Sequence, residues 1–195
     1  QSSAIEATPG EPDPDGRWLG RFPRQRLDAE MLRDAILAAT GRLDRTMGGS
    51  LVSWRNDEYV PGDAAPFAAP RRALYLPVVR DRGTDRDAAF DGANSSVCVA
   101  RRGTTVVAQQ ALYLLNAPLV RDSAATIAAQ ALRQPAEARC EWLHQRLLGR
   151  PPRPSEADRA RRFLADERLK GLDDAQRWSL LAHALIASNE FTHRE

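Results

Sequence analysis

Between residues 109 and 188, apolar side chains recur every three or four positions, and the runs are punctuated by prolines, glycines and acidic first turns. That spacing lines the apolar groups up on one stripe of a helix, so this half of the chain is read as helical throughout. The first run covers about 109–116 and stops before Pro118, because a proline disfavours helical backbone in the residue ahead of it. A second covers about 119–133, with Ala124, Ile127 and Ala131 inward. Pro135 in a first-turn position, then Trp142, Leu143 and Leu147, then Gly149 and Pro151, outline a third with both ends marked. Ser155-Glu156-Ala157-Asp158 has the form of a capping box, Asp158 taking the place of Glu or Gln, and opens a helix through Phe163 and Leu164 to Gly171. The last spans about 173–188, with Trp178, Leu181, Leu185 and Ile186 at helical spacing.

Upstream, one further helix stands out at 27–40. Leu32, Ile36, Ala39 and Leu43 share a stripe, Asp28 and Glu30 lie in the first turn, and Gly41 is the stop. The rest of this half lacks helical period. Residues 73–79, Ala-Leu-Tyr-Leu-Pro-Val-Val, read as a buried strand that Pro77 confines to an edge or bulge, with 97–99 and 104–107 as its partners. Residues 51–70 hold three prolines among polar residues and read as a long irregular loop with room for one short strand. Residues 81–91 form a mixed-charge loop, and no internal repeat is found. The expectation is a mainly α fold, a bundle-like body of five to six helices with a two- or three-stranded β element and long loops. Residues 1–24, with Pro9, Gly10, Pro12, Pro14 and Gly16, are an extended arm or linker, and 25–195 a single domain.

Composition narrows the function classes. At 195 residues with 43% hydrophobic and 28% charged, the chain is an ordinary globular domain, and no window is apolar enough to span a membrane. Lys170 is the only lysine, yet the arginines do not gather into a basic patch: Arg80-Asp81-Arg82 and Asp85-Arg86-Asp87 interleave the two signs, which argues against nucleic acid as a partner. The opening Gln1-Ser2-Ser3-Ala4 is neither basic nor apolar, so it is not a signal peptide, and without a Met it points to a longer precursor or a trimmed chain.

Few residues suggest chemistry. Cys140-Glu141-Trp142-Leu143-His144 has one cysteine and a three-residue gap before the histidine, so covalent haem attachment is excluded. Cys140 and His144 share a helix face at metal-ligand spacing, but two further ligands are wanting, and a packed thiol beside a surface imidazole is the better reading; no metal is assigned. Cys98 and Cys140 permit one disulfide without requiring it. Asp81, Asp85, Asp87 and Asp91 do not match a calcium-loop spacing. His144, His183 and His193 fit no nucleophilic triad, and Met47-Gly48-Gly49 lacks the lysine of a phosphate loop. The remaining anion-binding candidates are Arg72, Arg80, Asp81, Arg101 and Arg102, flanking the proposed strands. Guanidinium pairs there could clamp a carboxylate, sulfate or phosphate, although pairing with the acids of the intervening loop or with helix C-termini is favoured. Asn116 and Asn189 each close a helix as amide caps.

Taken in order, several segments carry a family likeness: Arg26-Leu27-Asp28-Ala29-Glu30 with Arg33-Asp34; Thr40-Gly41-Arg42-Leu43-Asp44 with Gly48-Gly49; residues 72–80; Phe90-Asp91; Arg101-Arg102 with Thr104-Thr105; Gln110-Ala111-Leu112 through Asn116; Leu148-Gly149-Arg150-Pro151-Pro152; and Ser188-Asn189-Glu190-Phe191. This order resembles the planctomycete cytochrome-associated C-terminal domain, domain of unknown function 1553, over nearly the whole chain. Gln109 departs from it where a proline is usual, as does the polar ending 192–195. Gln1 resembles a point inside that domain, so the chain is expected to be its C-terminal portion. The family has no established activity. Its members resemble large exported proteins with a c-type cytochrome segment and a second uncharacterised domain upstream, which implies a periplasmic or cell-surface setting, no cofactor in this chain, and any haem in an upstream segment.

The leading expectation is therefore a non-catalytic scaffold or docking module whose partners are upstream segments of the same protein and other proteins. Its rival is an enzyme on anionic polysaccharide, with Arg72, Arg80, Arg101 and Arg102 binding substrate and Asp81 or Asp91 as acid/base. A metal- or nucleic-acid-binding module ranks last.

Overall fold

The computed structural model describes residues 24–49, 51, 68–78 and 83–194. Among them are eight α-helices: α1 (Ala29–Thr40), α2 (Asp85–Ala89), α3 (Ala108–Asn116), α4 (Pro118–Ala131), α5 (Arg139–Leu148), α6 (Pro154–Leu164), α7 (Asp174–Ile186) and α8 (Asn189–Thr192). A two-stranded antiparallel sheet joins β1 (Gln25–Arg26) to β2 (His193–Arg194). The fold is mainly helical with one small sheet, as the periodicity predicts. No described helix is long and apolar enough to cross a membrane.

The most extensive helix pairing joins α4 to α7. On α4 the inward residues are Val120, Ser123, Ala124, Ile127, Ala128 and Ala131, and on α7 Trp178, Leu181, Ala182 and Ile186. Alanines on both faces let the axes approach closely while Ile127 and Ile186 fill the space between. Leu143 and Leu147 of α5 and Leu32 and Ile36 of α1 complete one core. Pro118 starts α4 at the position where a missing amide costs no hydrogen bond. Gly41 (φ 75°) and Gly149 (φ 71°) end α1 and α5 in the left-handed conformation. The Asn116 side chain caps the Leu112 carbonyl at 2.9 Å.

Several local expectations need correction. The strand expected at 73–79 is a 3₁₀ turn, Ala73–Tyr75, with Leu74 and Val78 both 74% exposed; Val79 and Arg80 lie outside the described residues. Pro77 cannot donate to a ladder, and among the described residues the only bridge nearby is a single parallel one between Asp44 and Arg71. Its proposed partners at 97–99 and 104–107 are not strands either: residues 93–107 are exposed throughout. Side chains there take the hydrogen bonds a ladder would use, since the Thr105 amide donates to Asp91 (2.9 Å) and the Thr105 carbonyl accepts from Gln110 (2.9 Å). The sheet comes instead from the two ends of the described chain, extended by the Leu27 amide donating to the Thr192 carbonyl at 2.8 Å.

The cap of α6 is also shifted. Arg153 is the N-cap, Pro154 the first helical residue, and Glu156 accepts the Arg153 amide at 2.7 Å, so Ser155 and Asp158 lie inside the helix. α6 ends at Leu164 and yields to a 3₁₀ turn, Glu167–Leu169, which Asp166 caps through the Arg168 amide (2.9 Å). Pro135 belongs to the turn before α5, and Asn189 opens α8 rather than closing α7. The expected arm at 1–24, all but Arg24, and most of the 51–70 loop lie outside the described residues.

Candidate functional site

Of the anion-binding candidates, Arg80 and Asp81 are outside the described residues, and the other three sit at the surface near α1. Glu30 and Asp34 are one turn apart on that helix and share a face. Arg102 grips Glu30 bidentately, at 2.8 and 3.0 Å, and the Arg72 Nε lies 3.8 Å from Asp34. Arg101 is exposed and has no partner among the described residues. Two of the three cations are thus paired inside the chain, with α1 rather than with the loop acids or helix C-termini. Burial works to raise the Glu30 carboxyl, but the Arg102 hydrogen bonds, a backbone hydrogen bond and the Arg102 charge together bring it below the usual range.

A second cluster surrounds Asp91. Arg26, only 6% exposed, reaches one Asp91 oxygen at 2.6 Å and lies over the Phe90 ring at 5.3 Å. The Thr105 hydroxyl donates to the same carboxylate at 2.9 Å, and Gln110 holds the Ala89 carbonyl at 3.0 Å. Asp91 is the one non-glycine with positive φ (54°) among the described residues. Strain of that kind persists only where its surroundings enforce it. Gly92 follows because a Cβ there would come within 2.5 Å of Asp87. Although desolvation works to raise Asp91, its Thr105 and Arg26 partners hold it below the ordinary aspartate value. It is a fixed anion and a poor proton donor.

Two buried arginines, Arg33 and Arg71, carry a structural role that their sequence signals, a family motif and a place beside Arg72, do not specify. Arg33, on the inner side of α1, donates to the Arg71 carbonyl at 2.7 Å and to the Ala69 carbonyl. Arg71 donates to the Thr46 and Gly48 carbonyls, both at 2.6 Å, and lies over Tyr75 at 5.1 Å. Asp34 takes the Ala73 amide at 2.8 Å. Together they tie 44–48 and 69–73 to α1 through backbone groups that have no ladder. A further sequence signal is Arg33 itself, a cation beside Leu32 on a helix that buries that side.

The third cluster is the tightest. Arg150 binds Glu190 (2.6 and 2.7 Å) and Glu156 (2.8 and 2.8 Å), both bidentately. The Arg150 hydrogen bonds bring Glu156 down to about 2 and lower Glu190 as well.

Cys98 is exposed and Cys140 half-buried, each a free thiol. His144 is not a surface imidazole: it is 3% exposed, with Nδ1 2.9 Å from the Cys140 carbonyl. His183 spends Nε2 on the Leu114 carbonyl at 2.8 Å. Among the described residues no three His, Cys, Asp or Glu are grouped to hold a metal.

The described residues line concavities as well. An open groove of about 720 Å³ runs between α2 and the α3–α4 corner, lined by Arg86, Ala89, Leu112, Tyr113, Pro118 and Leu119. A smaller one of about 480 Å³ lies where α1, α5 and the closing segment meet.

Comparison with curated proteins and with solved structures gives no match. Residues 1–164 match the model of PSD1, a protein family of unknown function, DUF1553. The chain belongs to the PSD1 family. Within this PSD1 chain the motif residues find one another: Glu30 meets Arg102, Asp34 meets Arg72, Phe90-Asp91 meets Arg26 and Thr105, Thr105 in turn meets Gln110, and Arg150 meets Glu190. Ser188-Asn189-Glu190-Phe191 lies beyond the matched span, yet Arg150 binds it to a motif inside that span.

Proposed function

We propose that this PSD1 chain is a non-catalytic scaffold or docking module of an exported, cytochrome c-bearing multidomain bacterial protein. The observation that carries this reading is where the charged motif residues go. Arg26, Arg71, Arg72, Arg102 and Arg150 are engaged within the fold, and Asp91, Glu30, Glu156 and Glu190 among the carboxylates they hold are kept below the ordinary carboxylate range. Apolar groups remain for an outside partner: Leu112 and Leu115, 57% and 56% exposed, project from α3, and Leu112 lines the open groove. The occupant that suits this reading is an upstream segment of the same protein, where the resemblance puts the haem; export to the periplasm or cell surface, and a planctomycete source, follow from the same resemblance.

The test has two arms. Upstream segments expressed separately should bind the chain, and Leu112→Asp with Leu115→Asp should abolish the binding while leaving the fold intact, because both side chains are exposed. Saturable turnover of an anionic polysaccharide, lost in Arg101→Ala without loss of folding, would replace this reading with the enzyme one. A reading frame without Cys-x-x-Cys-His and without an export signal would remove its redox and export parts.

A further inference from the structure

We infer that the cavity where α1, α5 and the closing segment meet binds a small oxyanion of the phosphate type. At about 480 Å³ it holds a phosphate with a modest substituent. Three nitrogen-bearing side chains line it from three separate parts of the chain: Arg45 after α1, Arg146 on α5 and His193 in β2. Ala35 and Ala38 present only methyl groups to it, so the α1 wall recedes and leaves the space open.

The charge in this cavity is not balanced by its own walls. Among the described residues Glu190 is the one acid lining it, and both its oxygens accept from Arg150, at 2.6 and 2.7 Å. Arg146 faces backbone rather than a carboxylate: its Nε donates to the Ala39 carbonyl at 2.7 Å and Nη2 to Ala38 at 3.2 Å. That contact caps the end of α1 and holds the guanidinium in place, with Nη1 making no hydrogen bond among the described residues. Arg45 is exposed and has no partner among the described residues. His193 is oriented by Nδ1, 2.9 Å from the Asn189 carbonyl, which leaves Nε2 for a second partner. Guanidinium groups prefer oxyanions to halides because their N–H pairs match two oxygens at once. An arginine held by a helix end, a free arginine and an oriented imidazole therefore make a site that chloride fills poorly.

The probe is inorganic phosphate, titrated calorimetrically into the chain against a chloride control of equal ionic strength. One saturable site is expected, together with a shift of the His193 ring signals in NMR spectra. Loss of a charge-assisted hydrogen bond should weaken binding about tenfold in Arg45→Ala, and His193→Ala should weaken it less. Arg121→Ala, an exposed arginine away from the cavity, should bind as the parent does. Arg45 is exposed and has no partner among the described residues, so its variant is expected to keep the fold, which circular dichroism checks. Absence of saturation, or Arg45→Ala binding phosphate as tightly as the parent, would overturn the site. It is separate from the α2–α3 groove, so the two proposals fail independently.

Discussion

The α4–α7 pair and the territory around α1 are held together in different ways. Between α4 and α7 nearly every inward side chain is apolar and many are alanine, so close packing supplies the stability. Around α1, segments with no regular structure of their own are fastened by arginines to backbone carbonyls and carboxylates: Arg33 to 69–71, Arg71 to 46–48, Arg102 to Glu30. A loop leaves backbone groups unpaired, and a guanidinium with five donors can satisfy several of them from one side chain. The contrast teaches that polar motif residues can mark how irregular chain is secured as readily as they mark a reaction.

That contrast can be broken in order of effect. Ile127→Ala or Ile186→Ala, both at 0% exposure, should cost ~3–4 kcal/mol in urea unfolding, with the whole transition moving together. Arg150→Ala should cost ~2–3 kcal/mol, because it leaves two part-buried carboxylates facing each other. Adding Glu156→Gln to that variant should restore part of the loss. The same cluster sets an acid response. Glu156 titrates at about 2 when folded, against 4.5 ordinarily, so its contribution is complete above about 4.5 and is lost as pH falls toward 2. Urea midpoints measured from pH 6 to pH 2 should therefore fall less steeply for Glu156→Gln than for the parent. Arg33→Met should cost ~1–2 kcal/mol, since two carbonyls lose their donor, and hydrogen exchange should quicken at 69–73 before the α4–α7 amides respond. If Arg33→Met instead unfolded the molecule more readily than Ile127→Ala, the polar fastenings would be primary and the division would fail. Arg161→Ala, removing an exposed pair with Asp158, should leave the urea midpoint unchanged.

The α4–α7 half was legible because burial on one face forces a period into the sequence, and that period gave α1, α3, α4, α5 and α7 within a few residues. The region 71–107 was not. Its valines looked like strands by composition, yet composition does not say whether a second strand is at hand, and Val97, Val99 and Val106 are 54, 60 and 87% exposed. The β1–β2 pairing joins residues far apart in the chain, each strand only two residues long, which is too short to carry a pattern. Arg72 and Arg102 were picked out for their charge, and their preferred reading, internal pairing, is what the geometry gives; the acids they pair with lie on α1 instead of the loop. Arg33, Arg71 and Arg150 act through partners that sequence proximity hides, with Glu190 lying 40 residues from Arg150.

The central claim, that the charged motif residues fasten the fold, is tested most directly at Asp91, which is also the described carboxylate an enzyme reading would use. Asparagine tolerates the same positive φ, so Asp91→Asn removes the charge without changing the backbone demand. The account predicts a loss of ~1–2 kcal/mol in urea unfolding and faster hydrogen exchange across 91–107. Unchanged stability and exchange in Asp91→Asn would contradict it.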